Sequence, residues 1–253
     1  SDKGRAAIDA ISHYAVEAAL LKVAGSEMLD FVVDEAVQIH GGMGYSAEMD
    51  VERAYRDSRI NRIFEGTNEI NRLLVSDTAM KRAMKGDFDL FGEAEKLFAG
   101  IEKLNDGKKE GESWHDEKKR YLENFKKLTL ICMHGAVKKF EKRLVHEQEV
   151  MNNIANMMME TYLSESLALR VEKLESIKGE LPVYRDILDV NIWETACLVR
   201  KEAMDAACAF ASPEMLPVLS RAAEELSRVS FVNVKDARRR IADKLIDDNS
   251  WKF

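Results

Sequence analysis

RINRIFEGTNEI, at residues 59–70, predicts a helix, a short break and a second helix. The break carries the carboxylate of Glu65 between Phe64 and the pair Gly66-Thr67. A carboxylate beside an aromatic ring at a chain reversal can lose water and serve as a base, and a Gly-Thr helix start can offer N–H groups to a phosphate. A glutamate at such a junction more commonly interacts with the dipole of the following helix, and spacing alone favours that structural role.

Composition indicates an all-α protein around this stretch. The chain has 253 residues, of which 46% are hydrophobic and 33% charged, with only 3 prolines and 13 glycines. Strand-like alternation is almost absent, and the length suits one large domain or two ordinary ones. The net charge of −7 argues against a nucleic-acid partner, and no apolar run approaches the roughly 20 residues of a membrane span.

Cysteine and histidine placement gives no sign of a metal site or a disulfide. Cys132, Cys197 and Cys208 have no CxxC spacing, so we expect small core residues in a reducing compartment. The five histidines form no HExxH motif. With no signal peptide apparent, the sequence favours a cytoplasmic location, or the mitochondrial matrix in a eukaryote.

Apolar periodicity divides the chain into helices. It predicts helices over residues 5–24, 26–39, 48–63 and 68–83, with Gly25-Ser26 ending the first and Ser26 capping the second. Lys85-Gly86-Asp87 marks a boundary between domains 1–85 and 86–253. The second part is predicted to hold helical segments at 88–104, 114–146, 148–177, 183–211, 213–229 and 234–247. Trp114, Trp193 and Trp251 are expected in a core or an interface.

Two segments leave a structural and a functional interpretation open. The run from Gln38 to Tyr45 has three glycines in four residues, which allows close backbone approach but more often forms a helix C-cap. The predicted helix at 114–146 has one lysine-rich face. A basic amphipathic helix can lie on an anionic membrane, although a solvated bundle face is the commoner case. That face contains Lys118, Lys119, Lys126, Lys127, Lys138 and Lys139.

Three motifs together resemble the C-terminal helical domain of the acyl-CoA dehydrogenases. They are Gln38–Tyr45, Tyr55-Arg56-Asp57 and Arg62–Ile70, in that family's order and spacing. The resemblance is dense over residues 5–83. Residues 87–253 resemble, less sharply, the extra helical domain of very-long-chain acyl-CoA dehydrogenases and related bacterial enzymes. The implied fold is a partial dehydrogenase helical bundle followed by a second helical bundle domain.

The resemblance implies α,β-dehydrogenation of a fatty acyl-CoA by FAD. Glu65 falls at the position of the family's catalytic base, and its backbone N–H would bond the thioester carbonyl. Phe64 and Gly66 would adjoin the substrate. Thr67 and Glu69 would lie at the FAD phosphates, although an acidic side chain such as that of Glu69 suits a phosphate poorly. Gln38 and Gly42 would reach the FAD of a partner subunit, so a homodimer or larger assembly is implied, with electron-transferring flavoprotein as the electron acceptor.

Nothing in the sequence resembles the family's N-terminal helical domain or its middle β domain. With Ser1 as the first residue, we expect a fragment of a longer enzyme that is inactive alone and does not retain FAD. Two alternatives stay open. One is an acyl-CoA oxidase with the same base and flavin, and the other is a non-catalytic helical module for oligomerisation or membrane docking.

Overall fold

The computed structural model describes residues 2–87 and 89–250, so the expectations for Trp251 and for Phe88 lie outside the described residues. The described residues form α-helices and short 3-10 segments, with no strand among them, as the all-α prediction requires. The α-helices are α1 (Asp2–His13), α2 (Ala15–His40), α3 (Asp50–Arg59), α4 (Asn68–Lys85), α5 (Leu90–Ala99), α6 (Trp114–Phe140), α7 (Gln148–Lys178), α8 (Pro182–Phe210), α9 (Leu216–Leu226) and α10 (Val234–Asp248). The 3-10 segments are Gly41–Tyr45, Ile60–Arg62, Ile101–Lys103 and Glu141–His146.

The chain divides into two compact units, unit 1 (Ser1–Phe88) and unit 2 (Asp89–Phe253). The assignment of 1–85 to a dehydrogenase bundle and of 86–253 to an extension domain stays a prediction. None of the described helices combines the length and the apolarity that a membrane crossing demands.

Unit 1 is built around α2, which packs against α3 and α4. The prediction that Gly25-Ser26 ends a helix is wrong, because α2 continues through both residues and the break lies at Tyr14. Ser26 is not a cap. Its buried hydroxyl donates to the Val23 carbonyl at 3.0 Å and also bonds Asn68, so a polar residue is satisfied within the helix.

The predicted apolar sides of α2 and α4 are only partly buried. Val33 and Ala79 are in the core, whereas Ile39 is 81% exposed and Leu29 and Val32 are exposed as well. Most of the exposed large hydrophobic side chains among the described residues belong to unit 1. Such an accumulation of exposed apolar side chains is typical of a protein part that binds further protein or ligand. The others include Ile8, Ile11, Leu21, Met28, Phe31, Ile60, Ile63, Ile70 and Leu74.

Unit 2 is organised by α6, α7 and α8, which pack against one another, with α5, α9 and α10 against them. The apolar seam predicted for α6 is buried, including Tyr121, Phe125 and Leu128. At Gly135 an added Cβ would overlap the Phe210 ring, so glycine allows α6 and the end of α8 to approach closely. The side chain of Ser113 caps α6, and the side chain of Asn233 caps α10.

The lysine-rich face of α6 is largely an interhelical ion-pair seam and not a free basic surface. Lys118 is buried and lies 2.7 Å from Asp189 of α8. Lys119 and Lys126 each approach a carboxylate of α7 at 2.6 Å. Periodicity does not reveal these partners, because acidic residues of other helices supply them.

The cysteines do not share one environment. Cys132 is buried, as predicted, and burial raises the pKa of its thiol to about 12. The prediction is wrong for Cys197 and Cys208, which are exposed, because they fall outside the buried positions of α8, such as Ala196, Val199 and Ala207.

Candidate functional site

The Glu65 turn, residues 63–67, lies between the 3-10 segment Ile60–Arg62 and α4. Glu65 has a φ of +55° and Gly66 has a φ of +81°. The left-handed region is disfavoured for residues with a Cβ, so Glu65 holds an uncommon conformation of a kind that clusters at functional sites. Gly66 is required at its position, because an added Cβ would also stand 3.0 Å from Asn71 Nδ2.

The predicted substrate-contacting residues lie together on the open side of this turn. Glu65 and Gly66 are exposed, and Phe64 is 48% exposed. Unit 1 by itself therefore leaves the Glu65 carboxylate in water. The desolvated base that the sequence suggested would need a covering surface from elsewhere.

Two side chains fix the carbonyl groups of the turn. Lys22 Nζ, from α2, donates to the Gly66 oxygen at 2.8 Å and to Asn68 Oδ1 at 2.7 Å. Asn71 Nδ2, from the first turn of α4, donates to the same Gly66 oxygen at 2.8 Å and to the Thr67 oxygen at 3.1 Å. We call Lys22, Asn68 and Asn71 the turn clamp.

Buried polar contacts tie the clamp to α2. Asn68 is 2% exposed, and its Nδ2 donates to Ser26 Oγ at 2.9 Å and to Glu27 Oε1 at 3.2 Å. Arg72 forms a bidentate pair with Glu27, with N–O distances of 2.7 and 2.8 Å. Both flanks of the turn are held, because Arg62, on the other side, lies 2.8 Å from Asp30 of α2.

The beginning of α4 offers N–H groups but already holds a carboxylate. Thr67 is the N-cap, and its Oγ1 accepts from the Ile70 N–H at 3.3 Å. The Glu69 carboxylate bonds its own backbone N–H and the Thr67 hydroxyl, and both contacts lower the pKa of Glu69. A phosphate at this helix start would compete with Glu69 for these donors.

The glycine-rich segment has divided roles. Gly44 is buried, and an added Cβ would lie 2.6 Å from the Val37 oxygen, so this glycine serves packing. Gly42 is exposed, with open space where a Cβ would stand, and the Gln38 side chain is exposed at the end of α2. The Gln38 carbonyl accepts from the Gly41 N–H, and no hydrogen bond among the described residues joins Gln38 or Gly42 to the Glu65 turn.

Sequence reasoning found the turn but missed the clamp. The sequence did hold a signal for a polar contact on α2. Polar residues recur there at a spacing of four and interrupt the apolar pattern, at Lys22, Ser26 and Asp30. Within residues 2–87 and 89–250, no group of three or more His, Cys, Asp or Glu side chains could hold a metal ion.

Comparison with known proteins matches both units to one family. Two family models, each described as "Acyl-CoA dehydrogenase, C-terminal domain", match residues 3–80 and 124–222. A probable acyl-CoA dehydrogenase of Bacillus subtilis (strain 168) is 39% identical over 250 residues, which is 98% of this chain and 42% of that protein. The human very long-chain specific acyl-CoA dehydrogenase is 34% identical over 170 residues, covering 59% of this chain and 25% of the relative.

A solved structure extends the match to three dimensions. The crystal structure of an acyl-CoA dehydrogenase from Bacillus anthracis, complexed with FAD, has a TM-score of 0.87 and 38% identity. The match covers 96% of this chain and 41% of that one. The chain thus spans less than half the length of the relatives that it matches.

Proposed function

Because the chain belongs to the acyl-CoA dehydrogenase family, we propose that it is the C-terminal part of an FAD-dependent enzyme that dehydrogenates fatty acyl-CoA. The observation that carries the proposal is the position of Glu65, whose carboxylate stands exposed on a turn held in a left-handed conformation. The turn clamp fixes the backbone on which that carboxylate stands. A base that takes a proton from carbon needs such fixed placement.

The proposed reaction removes one hydrogen from each of two adjacent carbons, the α and β carbons of the acyl group. Glu65 takes the α proton, the α C–H electron pair becomes the new π bond, and the β hydrogen leaves as hydride. FAD, when bound, supplies the acceptor for that hydride. The Glu65 backbone N–H bonds the thioester carbonyl oxygen, which stabilises the charge that develops as the α proton leaves. Phe64 and Gly66 border the acyl chain.

The beginning of α4 fits the FAD phosphates in part. Backbone N–H groups near Thr67 are suited to an anion, whereas the Glu69 carboxylate accepts from the same donors. If a phosphate bound here, the N–H groups near Thr67 and Glu69 would hold it, and the Glu69 carboxylate would have to give up these donors. Gln38 and Gly42 contact the FAD of a partner subunit in this proposal, which makes the enzyme a homodimer or a larger assembly.

The exposed apolar side chains of unit 1 support the proposal that further protein covers the site. Phe64, Ile63 and Ile70 are about half exposed beside Glu65. Covering them would also remove water from around the Glu65 carboxylate. The chain alone is therefore expected to show no turnover and to retain no FAD.

The remaining parts of the proposal concern partners and compartment. Electron-transferring flavoprotein is the proposed acceptor of electrons, and the proposed compartment is the cytoplasm, or the mitochondrial matrix in a eukaryote. Residues 1–85 are the dehydrogenase bundle part and residues 86–253 the extension domain. An acyl-CoA oxidase would instead form hydrogen peroxide rapidly in air, so peroxide release during turnover decides between the two acceptors.

The test is Glu65→Gln in the full-length protein, with Glu48→Gln as the matched control. Glu48 is also an exposed glutamate of unit 1, outside the turn. We expect Glu65→Gln to lower kcat by about 10³-fold or more, at the upper end for loss of a positioned base, while FAD content is retained. Near-normal turnover in Glu65→Gln, or an equal loss in Glu48→Gln, would remove Glu65 from the role of base.

A further inference from the structure

Lys22 contacts the Glu65 turn in an unusual way for a lysine. Its ammonium group donates to two neutral oxygens, that of Gly66 and Oδ1 of Asn68, at 2.8 and 2.7 Å. Asn68 is buried, and Lys22 is half-buried. A lysine on a helix surface usually extends into water or towards a carboxylate, so this placement indicates a specific structural task.

The task follows from the geometry of the peptide bond. The C=O and N–H groups of a trans peptide point in opposite directions. Lys22 and Asn71 both donate to the Gly66 oxygen, so the Thr67 N–H of the same peptide group is aimed away from these two donors. Asn71 also donates to the Thr67 oxygen, which fixes the next peptide plane.

The clamp acts on a segment that would otherwise relax. Glu65 has a Cβ and yet holds a φ of +55°, a region that residues other than glycine rarely occupy. Removing a donor from the Gly66 oxygen frees the Glu65-Gly66-Thr67 backbone to leave that region. The Glu65 carboxylate would then move with it.

We propose that Lys22 is a positioning residue, which holds the Glu65 turn so that the carboxylate and the Thr67 N–H face the reacting substrate and the cofactor. This inference rests on the proposed function, because only then does the direction of Glu65 have a catalytic consequence. A base displaced by about 1 Å can lose about 10²-fold in rate. Lys22 itself touches neither substrate nor cofactor in this account.

The first experiment uses this chain alone and needs no activity. Lys22→Met removes the donor and keeps the aliphatic stem, and Lys81→Met makes the same change on the exposed side of α4. The readout is amide hydrogen exchange at Ile70 and Asn71, whose N–H groups bond Thr67 at 3.3 and 2.9 Å. We expect exchange at both amides to quicken in Lys22→Met and to stay unchanged in Lys81→Met.

The second experiment uses the full-length protein. Lys22→Met is expected to lower kcat by about 10- to 100-fold with little change in KM, and to increase the deuterium isotope effect for substrate labelled at the α carbon. Partial unfolding would reduce the amount of active enzyme without changing that isotope effect. If Lys22→Met does not fold, Asn71→Ala removes the other donor to the Gly66 oxygen and is expected to act in the same direction.

The outcomes separate the two proposals. Unchanged amide exchange in Lys22→Met, or a wild-type kcat with a wild-type isotope effect, overturns the positioning role while the role of Glu65 stands. Full turnover in Glu65→Gln overturns the proposed function instead, and the amide exchange still decides whether Lys22 holds the turn.

Discussion

Replacing Asn68 by alanine removes the buried polar centre that joins α2 to the Glu65 turn. Asn68 Nδ2 donates to Ser26 Oγ at 2.9 Å and to Glu27 Oε1 at 3.2 Å. Asn68 Oδ1 accepts from Lys22 Nζ at 2.7 Å. Alanine offers none of these contacts, so among the described residues the Ser26 hydroxyl is left with its bond to Val23 and the Lys22 ammonium with its bond to Gly66.

The magnitude follows from the kinds of bond that are lost. A neutral hydrogen bond contributes about 0.5–1.5 kcal/mol to stability, and one to a charged group about 1.5–3 kcal/mol. Glu27 keeps its bidentate pair with Arg72, and Lys22 is accessible enough to regain water, so the charged contacts count at their lower end. We expect Asn68→Ala to destabilise unit 1 by about 4 kcal/mol in total.

The assay is native-state amide hydrogen exchange of α2 and α4, because it reports the opening of unit 1 separately from unit 2. The matched control is Asn61→Ala, whose side chain donates only to the Asp57 and Ser58 carbonyls at 3.4 and 3.2 Å. The control is expected to cost less than about 1 kcal/mol. Equal opening free energies for the two variants would refute the view that Asn68 is the centre of the contact between α2 and the turn.

Two further predictions concern unit 2, one on the pH dependence of its stability and one on the reactivity of its thiols. Burial raises the pKa values of Glu117 and Glu175, but hydrogen bonds, led by Lys118 for the first and Arg185 for the second, lower both to about 2. The stability that these two carboxylates contribute is therefore complete above their unfolded pKa near 4.5 and is lost as the pH falls towards 2. We expect the thermal stability of the protein to decline over that pH window, and to decline less in Glu175→Gln. Identical pH profiles for the wild-type protein and Glu175→Gln would contradict this prediction. A thiol reagent at pH 8 should modify the exposed Cys197 and Cys208 in the native chain and reach the buried Cys132 only after unfolding. Rapid modification of all three thiols in the native chain would contradict the burial of Cys132.

Local sequence signals located the helices well where the relevant partners are close in the chain. Ser113 and Asn233 cap the helices that follow them, and the α6 seam is buried as its period predicts. Gly25-Ser26 misled the prediction because a stop signal is only a local preference. In the structure α2 continues through both residues, and Ser26 bonds Asn68 instead of capping a helix.

The sequence predicted where the candidate site lies in the chain but not which side chains hold it in place. The Glu-Gly-Thr order located the turn, but it does not reveal that a lysine distant in the chain bonds the Gly66 oxygen. Lys22 is 44 residues away from Gly66, and no local pattern pairs them. The same limit applies to α6, where Lys118 finds Asp189 on another helix and is buried in consequence.

We propose that Glu65 takes the α proton of a bound acyl-CoA, and single-turnover reduction of the flavin tests this role. The most direct measurement is anaerobic mixing of the full-length protein with a saturated fatty acyl-CoA, with the reduction of the bound flavin followed by its visible absorbance in a single turnover. We predict rapid bleaching in the wild-type protein, whereas Glu65→Gln binds the same acyl-CoA and keeps its flavin oxidised. Bleaching of the Glu65→Gln flavin at the wild-type rate would show that Glu65 is not the base.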